Sequence, residues 1–230
     1  MEIESPEWGD ILADAATASG LVATPQRIEA CRNLALMLAD WNRVHNVTAV
    51  VDPRDVAVRH FADSLHAAGA LPPRGRVMDL GSGAGFPGLV VKIFLPDLSV
   101  TLVEAKRKKV SFHRAAIAGL GLTDIVSVHA RSEDLEGQPG YADVFGSVVT
   151  RAVADLSRLW AYSGPFLASG GFLLAMKAKA AAGEVEDLKK RLSGLEIRET
   201  PYELPGGLKR TLIRVEKMRA AGDRAAGEKD

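Results

Sequence analysis

The chain has 230 residues, which is enough to bury one sizeable core, and its composition is that of an ordinary globular protein. Its 29 basic residues balance 29 acidic ones, so the net charge neither indicates nor excludes a nucleic-acid partner. Cys31 is the only cysteine, which excludes an intrachain disulfide and a cysteine-based zinc site, and we expect no bound metal. The sequence shows no signal-like segment and no apolar stretch of membrane length, so we expect a soluble, cytoplasmic protein.

The first third of the chain is predicted to be helical. One helix is expected from Pro25 to Asn46, because apolar residues recur there at helical spacing and proline suits a first turn. A second helix is expected after Pro53. The break at Leu71–Gly75 contains two prolines and a glycine, and it predicts a boundary between a helical extension, residues 1–73, and a main domain, residues 74–216.

From Arg76 onward, short apolar runs alternate with helical stretches, which predicts a parallel α/β sheet covered by helices. The predicted strands are 76–80, 99–104, 125–129, 144–150 and 170–177, and the predicted helices are 87–95, 106–120, 155–167 and 184–192. Two further strands, 195–203 and 208–216, are joined by a linker too short for a parallel crossover, so they form an antiparallel hairpin. This Rossmann-like plan is typical of class I methyltransferases. Residues 217–230 are predicted to be a disordered tail.

A glycine-rich loop follows the first predicted strand and precedes a helix. Gly81, Gly83 and Gly85 allow a sharp turn and let a ligand approach the backbone. The spacing from Gly83 also matches the dinucleotide fingerprint, with Glu104 as its ribose-binding acid. The loop therefore predicts a nucleotide-containing cofactor and leaves both NAD and S-adenosylmethionine open.

Asp79 distinguishes between these cofactors. It stands at the strand end, two residues before the first glycine, where a carboxylate would repel a pyrophosphate. S-adenosylmethionine has no phosphate and carries two positive charges, so Asp79 favours it over NAD. The alternative is that Asp79 is only a turn or cap residue.

Two further strand ends carry candidate cofactor-binding residues. Glu104 ends the second predicted strand and can accept both hydroxyl groups of a ribose, as is expected for either cofactor. Ser132 and Glu133 follow the third strand, where backbone groups can bind an adenine. The alternative is a helix start capped by Ser132, and both interpretations can hold together.

The methyl acceptor is expected near Arg151, after the fourth strand. The sequence there is Thr150–Val153, which lacks the Asp/Asn-Pro-Pro-aromatic motif of enzymes that methylate exocyclic amines. Cys31 lies in the helical extension and is not placed as the nucleophile that pyrimidine C5 methylation needs. A purine N7 remains, because its lone pair needs no deprotonation and positioning could supply most of the rate.

Basic residues cluster locally despite the neutral total. One group precedes and begins a helix without an acid in it: Lys106, Arg107, Lys108, Lys109 and Arg114. A second group comprises Arg54, Arg59 and His60. The clusters predict either a phosphate-binding surface beside the cleft or simply a solvated helix face.

Further short motifs are spread over nearly the whole chain: Asn46–Thr48, Arg59–Ser64, Asp79–Gly88, Lys108 with Lys109 and Phe112, Arg131–Glu133, Thr150–Ala152 and Met176–Lys177. Together they resemble the RsmG (GidB) family, the guanine-N7 methyltransferases of bacterial small-subunit (16S) ribosomal RNA. The most specific part of the resemblance is Phe-Pro-Gly directly after the glycines.

The resemblance implies S-adenosylmethionine as the cofactor, with Arg151 and Lys177 positioning the guanine or its phosphates. The family's cofactor contacts correspond here to Gly81, Phe86, Ser132, Glu133 and Arg151. Two positions depart from the family pattern. The common Lys-Gly is Lys177–Ala178 here, and the common Ala-Glu is Ser132–Glu133.

The sequence therefore predicts methyl transfer from S-adenosylmethionine to N7 of a guanine in 16S ribosomal RNA, by a monomer acting on the RNA or the 30S particle. Phosphate contacts are assigned to Arg59, Lys106, Arg107, Lys108, Lys109 and Arg114. The alternatives are a small-molecule methyltransferase, an NAD-dependent oxidoreductase and a non-catalytic RNA-binding protein.

Overall fold

The computed structural model describes residues 1–151, 154–178, 182–192 and 194–217. Seven strands form one sheet, and their bounds are β1 (Gly75–Leu80), β2 (Leu98–Glu104), β3 (Ile125–His129), β4 (Phe145–Thr150), β5 (Leu167–Lys177), β6 (Glu196–Leu204) and β7 (Leu208–Glu216). Their order across the sheet is β3-β2-β1-β4-β5-β7-β6. The first five strands are parallel, whereas β7 runs antiparallel to both β5 and β6, which confirms the predicted hairpin.

This strand order places a crevice at the carboxyl end of the sheet. The chain moves outward from β1 to β3 on one side and then returns to β4 on the other side of β1. Crossover connections on the two sides of such a switch point leave opposite faces of the sheet, so ligands bind in the gap between them. The loops that follow β1, β2, β3 and β4 meet there.

The helices are α1 (Pro6–Ala18), α2 (Pro25–His45), α3 (Pro53–Val56), α4 (Asp63–Gly69), α5 (Gly88–Phe94), α6 (Arg107–Gly119), α7 (Ser132–Leu135), α8 (Leu156–Ser163) and α9 (Ala182–Arg191). The α1 helix was not predicted, although Ser5 caps it and Pro6 begins it, the same signals that Thr24 and Pro25 give for α2.

Two predicted helices differ from the structure. The helix predicted over 155–167 ends at Ser163, because Pro165 has no backbone N–H, and a 3-10 turn over Gly164–Phe166 leads into β5. The helix after Pro53 is not regular: a π-helical segment, Ala57–Ala62, joins α3 to α4. Such widened turns are frequent at functional sites.

The helical extension shares a core with one face of the sheet. The Trp8 and Phe61 ring centres lie 5.1 Å apart and the Phe61 and Phe86 ring centres 5.2 Å apart, so a row of edge-to-face aromatic contacts runs from α1 to the glycine loop. A second apolar cluster lies between the opposite face and α7, α8 and α9. Both faces of the sheet are therefore covered, and the extension packs on the main domain.

The chain stays attached to the sheet beyond its last strand. Lys217 donates from its backbone N–H to the carbonyl of Gly171 at 2.8 Å and from its ammonium to that of Leu167 at 2.7 Å. Residues 218–230, which make up the rest of the predicted tail, lie outside the described residues. Among the described residues, no helix has the length and apolar character that crossing a membrane requires.

Candidate active site

A cavity of about 220 Å³ lies in the crevice at the carboxyl ends of the first four strands. Four sequence-predicted residues line it together: Gly81, Glu104, Ser132 and Glu133. Leu159 and Tyr162 from α8 close its other side. A larger cavity of about 450 Å³ lies between α2 and the loop that follows it, with Leu38, Asn42 and Thr48 in its walls, away from the crevice.

The three glycines of the loop have different structural roles. Their φ angles are 74° at Gly81, 61° at Gly83 and 89° at Gly85, all in the region that favours glycine. A Cβ atom at Gly81 would meet nothing within 4 Å, whereas one at Gly85 would stand 2.3 Å from the Leu89 side chain. Gly81 thus leaves the backbone open to a ligand, and Gly85 is needed for packing.

The Glu104 carboxylate is fixed by two backbone groups of the site. One oxygen accepts the N–H of Gly83 at 2.9 Å, and the other accepts the N–H of Lys106 at 2.8 Å. The side chain is buried at the end of β2 and borders the crevice. Since each carboxylate oxygen can accept more than one hydrogen bond, Glu104 retains capacity for hydroxyl donors.

Asp79 uses one of its two carboxylate oxygens within the protein. One accepts the N–H of Gly88 at 2.8 Å, so Asp79 does act as a cap at the start of α5. The other oxygen is buried and has no hydrogen-bond partner among the described residues. Burial raises the pKa of Asp79 to about 7, against the opposing effect of the Gly88 hydrogen bond.

A histidine that the sequence analysis missed supports the glycine loop. His113 is fully buried on α6, and its two ring nitrogens lie 2.9 Å from the carbonyl of Gly83 and 2.9 Å from the hydroxyl of Ser127. Burial lowers the pKa of His113 to about 4, so the ring is neutral at physiological pH. In the sequence, only the position of His113 on the inner face of α6, within an otherwise basic segment, indicates that it is a buried residue.

Arg151 lies in a cup formed by the π-helical segment. Its guanidinium donates to the carbonyl of Arg59 at 2.6 Å and lies 3.4 Å from His60 Nδ1 and 3.5 Å from Asp63 Oδ2. The guanidinium carbon also lies 5.9 Å from the centre of the Phe86 ring. With a quarter of its side chain exposed, Arg151 is held by the protein and still reaches solvent.

The buried carboxylate of Asp63 links this cup to the terminal hairpin. Tyr202 donates to its Oδ1 at 2.7 Å, and Arg210 approaches the same oxygen at 4.0 Å. Burial, the charge of Asp63 and this hydrogen bond all raise the pKa of Tyr202, so the hydroxyl remains a donor. Asp63 and His60 belong to the Arg59–Ser64 motif, but no pattern in the sequence pairs them with Arg151.

Lys177 is engaged within the protein. Its ammonium donates to Glu184 Oε2 at 2.8 Å and to the carbonyl of Ala154. The same Glu184 oxygen accepts the N–H of Leu156 at 2.7 Å. Lys177 therefore ties the end of β5 to the starts of α8 and α9, and its side chain is only 11% exposed.

The pair after β3 begins a short helix, but Ser132 is not its cap. Arg131 occupies the cap position, and its N–H donates to Asp134 at 3.2 Å. Ser132 is the first helical residue, and its hydroxyl donates to Glu133 at 2.9 Å. The prediction of Ser132 as a cap is wrong, because the helix starts one residue earlier than predicted, while Glu133 lies in the first turn as expected.

The basic residues of α6 form an exposed surface that reaches the glycine loop. Among the described residues, no ion pair involves any of Lys106, Arg107, Lys108, Lys109 and Arg114. The Lys109 ammonium would lie 3.9 Å from a Cβ atom at Gly83, so it stands next to the loop. Arg59 instead pairs with Asp55 at 3.4 Å.

Comparisons with known proteins agree with this geometry. Residues 27–212 match the family model GidB, described as rRNA small subunit methyltransferase G. The Ribosomal RNA small subunit methyltransferase G of Roseiflexus castenholzii is 40% identical over 95% of this chain and 96% of its own length. The protein of that name from Lactococcus lactis subsp. lactis is 36% identical over 80% of this chain and 79% of its own.

Solved structures share the fold at low sequence identity. M. jannaschii TYW2 in complex with AdoMet superposes with a TM-score of 0.53 and 15% identity, covering 69% of this chain and 75% of that one. P. horikoshii TYW2 in complex with MeSAdo gives a TM-score of 0.56 and 11% identity over 70% of this chain and 63% of that one. The methyltransferase fold predicted from the sequence is confirmed.

Proposed function

The chain belongs to the GidB family of rRNA small subunit methyltransferases, and from this premise we propose that it transfers a methyl group from S-adenosylmethionine to N7 of a guanine in 16S ribosomal RNA. The observation that carries the proposal is the crevice itself. It brings Gly81, Glu104 and the Ser132–Glu133 pair together at the switch point of the sheet, where β1, the strand that contains the buried Asp79, ends at Leu80.

The chemistry of the crevice fits S-adenosylmethionine better than NAD. Two acids, Glu104 and Glu133, and one cation, Arg131, line it, and Asp79 has a buried oxygen without a partner among the described residues. Acidic side chains favour a ligand with an ammonium and a sulfonium group and oppose a pyrophosphate. In this assignment Gly81, Gly83, Gly85, Phe86 and Asp79 form the wall for the methionine end, Glu104 holds the ribose, and Ser132 with Glu133 borders the adenine.

S-adenosylmethionine supplies an electrophilic methyl group when it is bound. The task of the protein is then positioning, because the N7 lone pair of guanine is already free to attack and needs no general base. We assign the guanine to Arg151, because its side chain is a quarter exposed and can donate to O6 or to a phosphate while N7 stays free. Arginine cannot use its usual bidentate contact to O6 and N7 here.

Lys177 receives a different role from the one its sequence position indicates. Its ammonium already contacts Glu184 and the carbonyl of Ala154. We infer that Lys177 fixes the ends of β5, α8 and α9 behind the acceptor side of the crevice. It then contributes to guanine binding through the position of these elements and not through direct contact.

The substrate is proposed to be 16S ribosomal RNA, free or within the 30S particle, approached by a monomer in the cytoplasm. The exposed cations at the start of α6, together with Arg59, would contact its phosphates. The helical extension, residues 1–73, would act as a fixed part of the methyltransferase unit, residues 74–216, because Phe61 and Phe86 pack together.

The test is transfer of a radiolabelled methyl group from S-adenosylmethionine to purified acceptors. We expect label in 16S ribosomal RNA or 30S particles and none in 23S ribosomal RNA or transfer RNA. Gly81→Val provides the matched control, because its side chain would enter the open space before the backbone and should remove cofactor binding. Label confined to 23S or transfer RNA, or a fully active Gly81→Val protein, would contradict the proposal.

A further inference from the structure

We propose that His60, fixed by Thr48, is a positioning residue that orients the guanidinium of Arg151 by accepting a hydrogen bond as a neutral imidazole. The inference deepens the proposed function and rests on it, since it explains how Arg151 is aimed at the guanine. Thr48, His60 and Arg151 come from a loop, the π-helical segment and the end of β4. They form a continuous chain of polar contacts.

The donor and acceptor roles in this chain follow from the chemistry of arginine. A guanidinium can only donate, so His60 Nδ1, 3.4 Å from Arg151, must carry a lone pair. The proton of the neutral ring is then on Nε2, which lies 2.9 Å from the hydroxyl oxygen of Thr48. Thr48 thereby stabilises the one tautomer that can accept from Arg151.

The imidazole is also held rigidly. His60 is buried and stacks on Phe86, with ring centres 4.6 Å apart and an angle of 14° between the planes. Burial first, and then the nearby charge of Arg151, lowers the pKa of His60 to about 3. A second proton would put an N–H against the guanidinium, so the ring stays neutral wherever Arg151 is in place.

Thr48 is anchored from the opposite side. Its backbone N–H donates to Asn42 Oδ1 at 2.9 Å, and its hydroxyl oxygen accepts the N–H of Val50 at 3.1 Å. Asn42 is a buried residue of α2. The helical extension therefore reaches Arg151 through Asn42, Thr48 and His60, and this route gives the extension a part in acceptor positioning besides packing.

A simpler explanation is that His60 is a core histidine whose nitrogens happen to be satisfied. The two explanations differ in what an isosteric change does. If His60 only packs, then His60→Phe keeps the stacking on Phe86 and changes stability alone. If it orients Arg151, the loss of the acceptor lowers turnover, and an asparagine, whose oxygen stands near the position of Nδ1, restores much of it.

The experiment measures single-turnover methylation at saturating cofactor and RNA, cofactor affinity by calorimetry, and melting temperature for His60→Phe, His60→Asn, Thr48→Val and Thr48→Ser. A hydrogen bond to a charged group predicts a loss of about tenfold to a hundredfold in rate for His60→Phe. His60→Asn should recover most of it. Thr48→Val should lose about threefold to tenfold and Thr48→Ser little, while cofactor affinity stays within about threefold for all four.

The nitrogen chemical shifts of the His60 ring, measured by NMR in the wild-type protein, give a second readout that does not depend on activity. We expect the neutral ring with its proton on Nε2 from pH 5 to 8, roughly. A proton on Nδ1, a charged ring, or unchanged turnover in His60→Phe would overturn the inference. If the wild type transfers no methyl group to RNA but the ring has the expected tautomer, the proposed function fails and the geometry of the Arg151 cup stands.

Discussion

At the scale of single residues, two buried acids at the ends of neighbouring strands, Glu104 and Asp79, are each held by backbone N–H groups. Glu104 is fixed by Gly83 and Lys106, and Asp79 is fixed by Gly88. A Cβ atom at Gly88 would stand 2.7 Å from Asp79 Oδ2 and 2.2 Å from the Leu102 side chain. A side chain at position 88 would therefore collide with Asp79, and the glycine there allows Asp79 Oδ2 to accept the hydrogen bond that caps α5.

Asp79 should make both stability and cofactor binding depend on pH. Its pKa of about 7 in the folded protein lies above the ordinary value of 3.8 for an aspartate, so the folded protein loses stability as the pH rises between these values. Asp79→Asn removes this loss. The melting temperature of the variant minus that of the wild type should therefore be larger at about pH 8 than at about pH 4.5. Thermal melts at both pH values measure the difference.

The affinity for the cofactor should change with pH in the opposite direction to the stability. If the ionised carboxylate contacts the cofactor's positive charge, wild-type affinity should fall by about tenfold per pH unit well below pH 7. The Asp79→Asn protein should bind weakly and lack this pH dependence. Calorimetry of both proteins with the same ligand, over a range of pH, measures this difference. If the affinities of the two proteins depend on pH in the same way, Asp79 serves only as a cap of α5.

Part of the site could be predicted from the sequence because the carboxyl ends of parallel strands meet at one edge of a sheet. Gly81, Glu104 and Ser132 each follow a recognisable strand, so their meeting follows from the order of elements. The cup around Arg151 could not be found in this way. Its contacts with Asp63 and His60 join residues 88 and 91 positions apart, through a π-helical turn that no sequence pattern indicated.

At the scale of elements, Lys177 and Glu184 join β5 to α9 and, through Leu156, to α8. We expect Lys177→Met and Glu184→Gln each to cost about 1 to 2 kcal/mol of unfolding free energy, because each leaves a polar group of the cluster without its partner. The double variant should cost less than the sum, and chemical denaturation of all four proteins measures the coupling.

Turnover of the same variants separates the two roles of Lys177. If the ion pair only fixes the elements, both single variants should lose turnover to the same modest extent. A large loss confined to Lys177→Met, with Glu184→Gln fully active, would place the ammonium on the substrate and contradict our assignment.

The first turn of α6 should account for part of the RNA affinity. Replacing Lys106 and Lys108 by alanine removes two exposed cations and should reduce the log–log salt slope of RNA binding by about 2. The matched control replaces Lys189 and Lys190, exposed on α9, with the same change in charge. Equal slopes for the two double variants would mean that the α6 cluster is a solvated face.

At the scale of the whole molecule, the helical extension and the sheet share one core, so they should unfold together. Trp8 is fully buried, and its indole N–H donates to the carbonyl of Pro53 at 3.1 Å. Trp8→Ala should cost about 3 to 5 kcal/mol, and Trp8→Phe less, because the phenyl ring keeps most of the packing against Phe61.

Cooperativity is the critical readout for this variant. With Trp41 also replaced by phenylalanine, the fluorescence reports on Trp160 alone, which lies on α8 beyond the opposite face of the sheet. It should change at the same denaturant concentration as the helical circular dichroism. Two separate transitions would show that residues 1–73 form an independent unit.

We propose that this crevice directs methyl transfer to guanine N7 in the small-subunit RNA. The most direct test is to incubate the protein and S-adenosylmethionine with 30S particles that lack the modification, and to analyse the digested RNA by mass spectrometry of its nucleosides. We predict N7-methylguanosine as the single new nucleoside, confined to 16S ribosomal RNA. A methyl group on another atom or another base, with guanine N7 unmodified, would contradict it.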